Sequence, residues 1–240
     1  MDYCATNSLQ SPRDEANIGL RLFLDSADPI QWARLLPLGM FHGVTTNPLL
    51  LEKAEQKCTL ENLEKMAATA FELGVSEIQL QTWGETVGEM VAIGEELAGF
   101  SKLGIEVVVK VPITEEGLAV AARLRATGCR ITMTAVYDPG QVLAAAGLGA
   151  AYAAPYLGRM DDAGTDGLTT LTTMREILVH CHSSTRLLVA SLRTAKQVIE
   201  LASRGFDTLT FGPSVARDLL KEELTAQSAR DFQRAAEKMS

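Results

Sequence analysis

Short apolar runs alternate with longer amphipathic segments along most of the 240 residues. The runs lie at 20–24, 43–45, 77–81, 105–110, 131–136, 150–154, 186–191 and 208–211. Most have strand length and several are rich in β-branched residues, although the sixth is alanine-rich and weaker. Helical spacing fills the intervals. Over 60–73, Leu60, Leu63, Ala67, Ala70 and Phe71 share one face. Thr114 followed by Glu115 and Glu116 predicts a capped helix start with acids in its first turn, and Leu118, Ala122 and Leu124 continue its buried side. Segments 142–148, 171–178 and 198–202 behave alike. Strands alternating with helices imply a parallel sheet, and eight such units in a chain of about 250 residues have the size of a closed barrel. The predicted fold is therefore α/β: a single (β/α)8 TIM barrel over 21–221 with an additional C-terminal helix at 222–240. An open doubly wound sheet is the alternative, but it usually carries a glycine-rich phosphate loop, and no G-x-G-x-x-G or P-loop is present. Ala229, Phe232, Ala236 and Met239 form a stripe on the last helix that packs either on its own barrel or on a neighbouring subunit. Residues 1–20 are polar, lack a secretory pattern and read as a short disordered arm.

Composition narrows the function. Hydrophobic residues make up 47% and charged residues 22%, an ordinary globular balance that, with no apolar run long enough to cross a bilayer, predicts a cytoplasmic protein. A net charge of -8 and a pI near 5.0 argue against nucleic-acid and anionic-membrane partners, which need a basic stripe. A small anionic substrate is still allowed, because a few local arginines override the global charge. Cys4, Cys58, Cys129 and Cys181 are scattered, form no C-x-x-C pair and predict reduced, mostly buried thiols. His180-Cys181-His182 reads as a helix end and loop, and no metal-ligand cluster is evident.

Barrel chemistry collects at the C-terminal ends of the strands. The polar side chains at those ends are Asp25, Asn47, Gln81, Lys110, Thr134, Tyr156, Arg159, Ser191 and Arg193. Lys110 follows Val107-Val108-Val109 inside an apolar strand, where an ammonium is costly to bury and the neutral, nucleophilic amine is favoured. From this strand alone, a lysine whose tip reaches water fits as well. Asp25 either shuttles protons or caps the helix that follows. Asn47 either holds substrate hydroxyls or stabilises the turn before Pro48. Gln81, Thr134 and Tyr156 either bind a catalytic water or are ordinary polar groups of the barrel rim, the commoner use of such residues in isolation. Arg159, Ser191 and Arg193 suit an anion such as a sugar phosphate, unless the arginines pair with acids such as Asp161.

Six segments tie these residues together: Leu24-Asp25-Ser26-Ala27-Asp28, Gly43-Val44-Thr45-Thr46-Asn47-Pro48, Val108-Val109-Lys110-Val111-Pro112, Thr134-Ala135-Val136-Tyr137, Ala154-Pro155-Tyr156-Leu157-Gly158-Arg159 and Ala190-Ser191-Leu192-Arg193-Thr194. In this order, each at a predicted strand end, they resemble the small transaldolases and fructose-6-phosphate aldolases from Leu22 onward. The resemblance implies class I aldol chemistry without metal or organic cofactor. It casts Lys110 as the Schiff-base lysine and Asp25 as the proton-handling acid. Asn47 and Thr134 would bind substrate and catalytic water, and Arg159, Ser191 and Arg193 the phosphate. It also implies a small-molecule sugar-phosphate partner and a homo-oligomer, a pentamer or decamer. Gln81 and Tyr156 match the aldolase branch, where transaldolases usually carry glutamate and phenylalanine. Glutamate can act as a base toward water, whereas glutamine can only orient it. Thr132 departs from both branches, and Trp83 either narrows the pocket mouth or caps the barrel. The expected activity is aldol cleavage of fructose 6-phosphate or a related ketose. The alternatives are transfer of dihydroxyacetone to erythrose 4-phosphate and a sugar-phosphate-binding barrel without turnover.

Overall fold

The computed structural model describes residues 19–239. Strands β1 (Arg21–Asp25), β2 (Gly43–Thr45), β3 (Glu77–Gln81), β4 (Glu106–Pro112), β5 (Arg130–Val136), β6 (Tyr152–Pro155), β7 (Arg186–Leu187), β8 (Val189–Leu192) and β9 (Thr208–Phe211) form one sheet. They run in the order β7-β6-β5-β4-β3-β2-β1-β9-β8, and every paired neighbour is parallel. The sheet closes on itself where the Leu188 amide donates to the Ala153 carbonyl at 2.9 Å and Tyr156 bridges Ala190. The segments β7 and β8 are thus two halves of one barrel strand interrupted at Leu188, and the nine segments occupy eight barrel positions. The predicted (β/α)8 barrel is the observed architecture.

Side-chain caps start the helices at the C-terminal rim and leave the strand ends free to line a site. Asp28 caps α1 (Pro29–Leu35), Asn47 caps α2 (Pro48–Lys53) and Thr59 caps α3 (Leu60–Glu72). Thr86 and Glu89 form a capping box on α4 (Val87–Gly99), and Thr114 caps α5 (Glu115–Ala126). The remaining helices are α6 (Pro139–Leu148), α7 (Leu157–Asp162), α8 (Gly167–His180), α9 (Ala195–Ser203), α10 (Pro213–Asp218) and α11 (Glu223–Met239).

The large core lies between the strands and the surrounding helices, while a second cluster of Phe23, Val108, Tyr152, Ala154 and Leu188 plugs the barrel interior. Below this plug sits a buried polar network. Glu77 is fully buried and accepts hydrogen bonds from Tyr152 Oη at 2.8 Å and Gln79 Nε2 at 2.7 Å. His42 Nε2 and Arg21 Nη1 stand 3.6 and 3.7 Å from its carboxylate, ion-pair distances too long for hydrogen bonds. Gln79 Oε1 in turn accepts the Thr132 hydroxyl at 2.8 Å, which gives the unusual threonine a structural partner. Burial alone would raise the Glu77 carboxyl, but His42, Gln79 and Tyr152 outweigh it and hold the group below the ordinary value of 4.5. Its contribution to stability is therefore complete above that value and is lost as pH falls through the folded-state value. Glu77→Ala would leave several buried donors unanswered, and chemical denaturation at neutral pH is expected to show a loss of about 3–5 kcal/mol. A loss below about 1 kcal/mol, the size of a single ordinary hydrogen bond, would show the network to be dispensable.

Several expectations are corrected. Cys58 and Cys181 are exposed and Cys129 is partly buried, all three with free thiols, so the thiols are not mostly buried; Cys4 lies outside the described residues. Helix α5 buries Gly117, Val120, Ala121 and Leu124, leaving Ala122 exposed and Leu118 only half-buried, because the helix is rotated from the phase that the sequence suggests. Phe71 is half-exposed; α3 buries Met66 beside Leu63, Ala67 and Ala70. Helix α11 has the expected stripe but buries no residue on the barrel: Leu224 is 76% and Phe232 73% exposed. The arm expected at 1–20 lies outside the described residues except for Gly19 and Leu20. No helix among the described residues is long and apolar enough to cross a membrane.

Candidate active site

A cavity of about 220 Å³ opens at the C-terminal ends of the strands, and Asp25, Asn47, Lys110, Tyr156, Arg159 and Ser191 all line it. Lys110 projects from β4 between neighbours buried on both sides; the residue is only 4% exposed, yet its tip reaches the cavity. Its Nζ donates to the Thr46 carbonyl at 3.0 Å. One backbone contact holds the amine in place without pairing it to a carboxylate.

Asp25 ends β1 and does not cap α1, a role taken by Asp28. Its Oδ1 accepts from Thr45 Oγ1 at 2.7 Å, and Thr45 meets Thr210 Oγ1 at 2.6 Å. Burial raises the Asp25 carboxyl above its ordinary value, against the opposing effects of the Lys110 charge and the Thr45 hydrogen bond. A carboxyl pushed this way suits proton exchange at the cavity floor.

Tyr156 lines the cavity beside β6, with its hydroxyl 2.9 Å from Thr134 Oγ1. Its ring is fixed from two sides. The Arg159 guanidinium lies 5.1 Å from the ring centroid, and the Tyr137 ring meets it edge-on at 5.8 Å. Arg159 Nη1 also donates to Tyr137 Oη at 3.3 Å. Asn47 takes the turn-stabilising role, its Oδ1 accepting the Leu50 amide at 3.1 Å, and it also lines the cavity, where its amide nitrogen has no protein partner among the described residues.

Ser191 is aimed by a bulge. The β8–β9 register shifts between Val189 and Leu192, and Ser191 adopts φ 59°, a left-handed conformation that is strained for a residue with a side chain. A matching shift on β5 places Ala135 at φ 58° beside Thr134. Gly158 lets the α7 backbone lie against Ser191. A Cβ there would stand 2.5 Å from the Ser191 carbonyl, 2.8 Å from Arg193 Nε and 3.0 Å from Ser191 Oγ.

Three expected residues stand apart from the cavity lining. Arg193 forms a two-pronged ion pair with Asp162 at the end of α7, one arm at 2.7 Å, so the pairing with a nearby acid expected as the alternative is observed, one residue along from Asp161. Gln81 is half-buried beside Lys110 across the β3–β4 ladder and has no side-chain partner among the described residues. Thr134 reaches the cavity through Tyr156. Trp83 packs, partly buried, against the helix–sheet core and is not among the residues that line the cavity. Lys53 also lines the cavity, although the strand-end pattern does not point to it. A helical pattern does: Asn47, Leu50 and Lys53 are three residues apart on one helix face, and all three reach the cavity. The His180-Cys181-His182 stretch is a helix end, and no group of three or more His, Cys, Asp or Glu among the described residues is arranged to hold a metal.

A family model described as "Transaldolase/Fructose-6-phosphate aldolase" matches residues 22–240. A protein named "Probable transaldolase" from Phenylobacterium zucineum is 34% identical over 213 residues, covering 89% of this chain and 94% of the relative. Proteins of the same name from Nitrosopumilus maritimus and Flavobacterium psychrophilum are each 33% identical, covering 92% and 90% of this chain and 96% and 99% of the relatives.

Proposed function

Because the chain belongs to the transaldolase/fructose-6-phosphate aldolase family, we propose that it cleaves a ketose phosphate such as fructose 6-phosphate through an iminium on Lys110 and releases dihydroxyacetone. Family membership also makes it an aldolase/transaldolase-like enzyme, not a barrel that only binds. The observation that carries the reading is a buried lysine amine opening into the same cavity as a carboxyl raised by burial and a fixed tyrosine hydroxyl.

The neutral amine attacks the ketone carbon, and loss of water from the carbinolamine gives the iminium. The bond between the third and fourth sugar carbons then breaks. Its electron pair flows into the iminium as an enamine, while the proton of the fourth-carbon hydroxyl leaves to a base, for which Asp25 is placed, and an aldehyde departs. In the lyase reaction the enamine takes a proton at the third carbon from Tyr156, and water hydrolyses the new iminium. Gln81 can orient that water but cannot deprotonate it. Arg159 and Ser191 bind the phosphate. Arg159→Ala is expected to raise KM for fructose 6-phosphate by about tenfold or more, as loss of a charge-assisted hydrogen bond implies. Arg193→Ala is expected to raise it less, since Asp162 already engages that guanidinium. The reverse order in steady-state kinetics would move the phosphate to Arg193.

The second reading is transfer of the dihydroxyacetone unit to an acceptor such as erythrose 4-phosphate, favoured by the names of the relatives. Following glyceraldehyde 3-phosphate release from fructose 6-phosphate with and without erythrose 4-phosphate separates the two. Release without acceptor supports the lyase, release only with acceptor supports the transferase, and no release in either case rejects both for this substrate. The exposed apolar stripe on α11 supports a homo-oligomer in which that helix covers a neighbouring subunit. Light scattering is expected to give a multiple of the 25.8 kDa chain; a monomer would reject the assembly.

A further inference from the structure

The opposite mouth of the barrel, at the N-terminal ends of the strands, holds a cavity of about 480 Å³ into which Arg21, Arg125, Arg130 and Arg186 converge with Ser184. Four guanidiniums around one space are unexpected on a chain of net charge -8. Structural duties account for part of them. Arg130 pairs with Glu106, and Arg186 stands 3.0 Å from Asp207 and donates to Thr208 Oγ1 at 2.8 Å. Arg21 lies 3.7 Å from buried Glu77 and donates to Tyr152. Arg125 has no carboxylate partner among the described residues and donates only to the Leu148 carbonyl at the end of α6.

These pairings leave four cations against three carboxylates. They also leave many donors unused, since a guanidinium carries five N–H groups. Among the described residues, Arg21, Arg125 and Arg130 each donate only through Nη1, and the Ser184 hydroxyl has no partner. Arg21 and Arg130 are further held by the Tyr152 ring, at 6.0 and 5.9 Å from its centroid. The planar forks therefore stand partly fixed with N–H groups to spare, an arrangement that favours phosphate oxygens over a single point charge. Four guanidiniums and a hydroxyl around one space offer more spare N–H and O–H donors than a single phosphate group uses, and two linked phosphate groups use more of them.

We propose that this mouth is a second anion site, for a small molecule bearing a diphosphate or two phosphate groups. The plug of Phe23, Val108, Tyr152, Ala154 and Leu188 separates it from the Lys110 cavity, so the two sites share no lining residue.

Calorimetric titration of the intact protein with inorganic pyrophosphate tests this. A saturable site is expected to persist in Arg159→Gln, which weakens anion binding at the opposite face. The same site is expected to weaken at least about tenfold in Arg125→Gln and in Arg130→Gln, the cost of one charge-assisted hydrogen bond. Arg125 is exposed and outside the buried Glu77 network, so its variant is expected to keep wild-type turnover and stability. Loss of all pyrophosphate binding in Arg159→Gln, or unchanged affinity in Arg125→Gln, would overturn the proposal and leave the arginines a purely structural role.

Discussion

Lys110→Met is expected to leave a folded barrel with turnover reduced by about 10⁴-fold or more, the scale on which enzymes lose rate when a covalent nucleophile is removed. Methionine fills the space of the lysine stem within the valine-rich β4, and the substitution removes the hydrogen bond to the Thr46 carbonyl. That bond contributes about 1 kcal/mol, so denaturation should shift little while kcat collapses. Stability and rate must be measured on the same preparation. Activity within tenfold of the unaltered protein would remove Lys110 from the role of nucleophile, whatever the fold of the variant.

Tyr156→Phe is expected to lower acceptor-independent aldehyde release by about 10²–10³-fold, within the usual contribution of a positioned general acid. The substitution spares the neighbours that hold the ring, with Arg159 above it and Tyr137 at its edge, and removes only the hydroxyl that stands 2.9 Å from Thr134. Without that proton source the enamine survives longer and can meet an acceptor aldehyde. Transfer to erythrose 4-phosphate should therefore fall much less than release, and the same coupled assay follows both. Equal losses in both reactions would show that the Tyr156 hydroxyl does not divide cleavage from transfer.

Much of this architecture is legible in the amino-acid sequence. Strands β2, β3 and β9 coincide with the apolar runs at 43–45, 77–81 and 208–211, because buried parallel strands concentrate apolar and β-branched side chains. The cavity-lining residues Asp25, Asn47, Lys110, Tyr156, Arg159 and Ser191 stand at predicted strand ends, where a barrel gathers them. What escapes depends on geometry that periodicity does not encode. The break at Leu188 and the bulges at Ala135 and Ser191 are features of ladder register, and no residue type announces them. The engagement of Arg193 by Asp162 depends on how α7 and the loop after β8 face one another. The polar bottom of the barrel is half visible: Glu77, Gln79 and Gln81 alternate along β3, but only the last sits at the expected end. The whole alternation places a carboxylate inside the barrel and supplies a partner for Thr132.

The most direct measurement is borohydride reduction of the protein in the presence of fructose 6-phosphate, followed by peptide mass mapping. The expected result is a reduced adduct of the ketose-derived unit on Lys110 alone, absent without sugar and absent in Lys110→Met. An adduct on another lysine such as Lys53, or turnover with no trapped adduct at all, would contradict an iminium on Lys110.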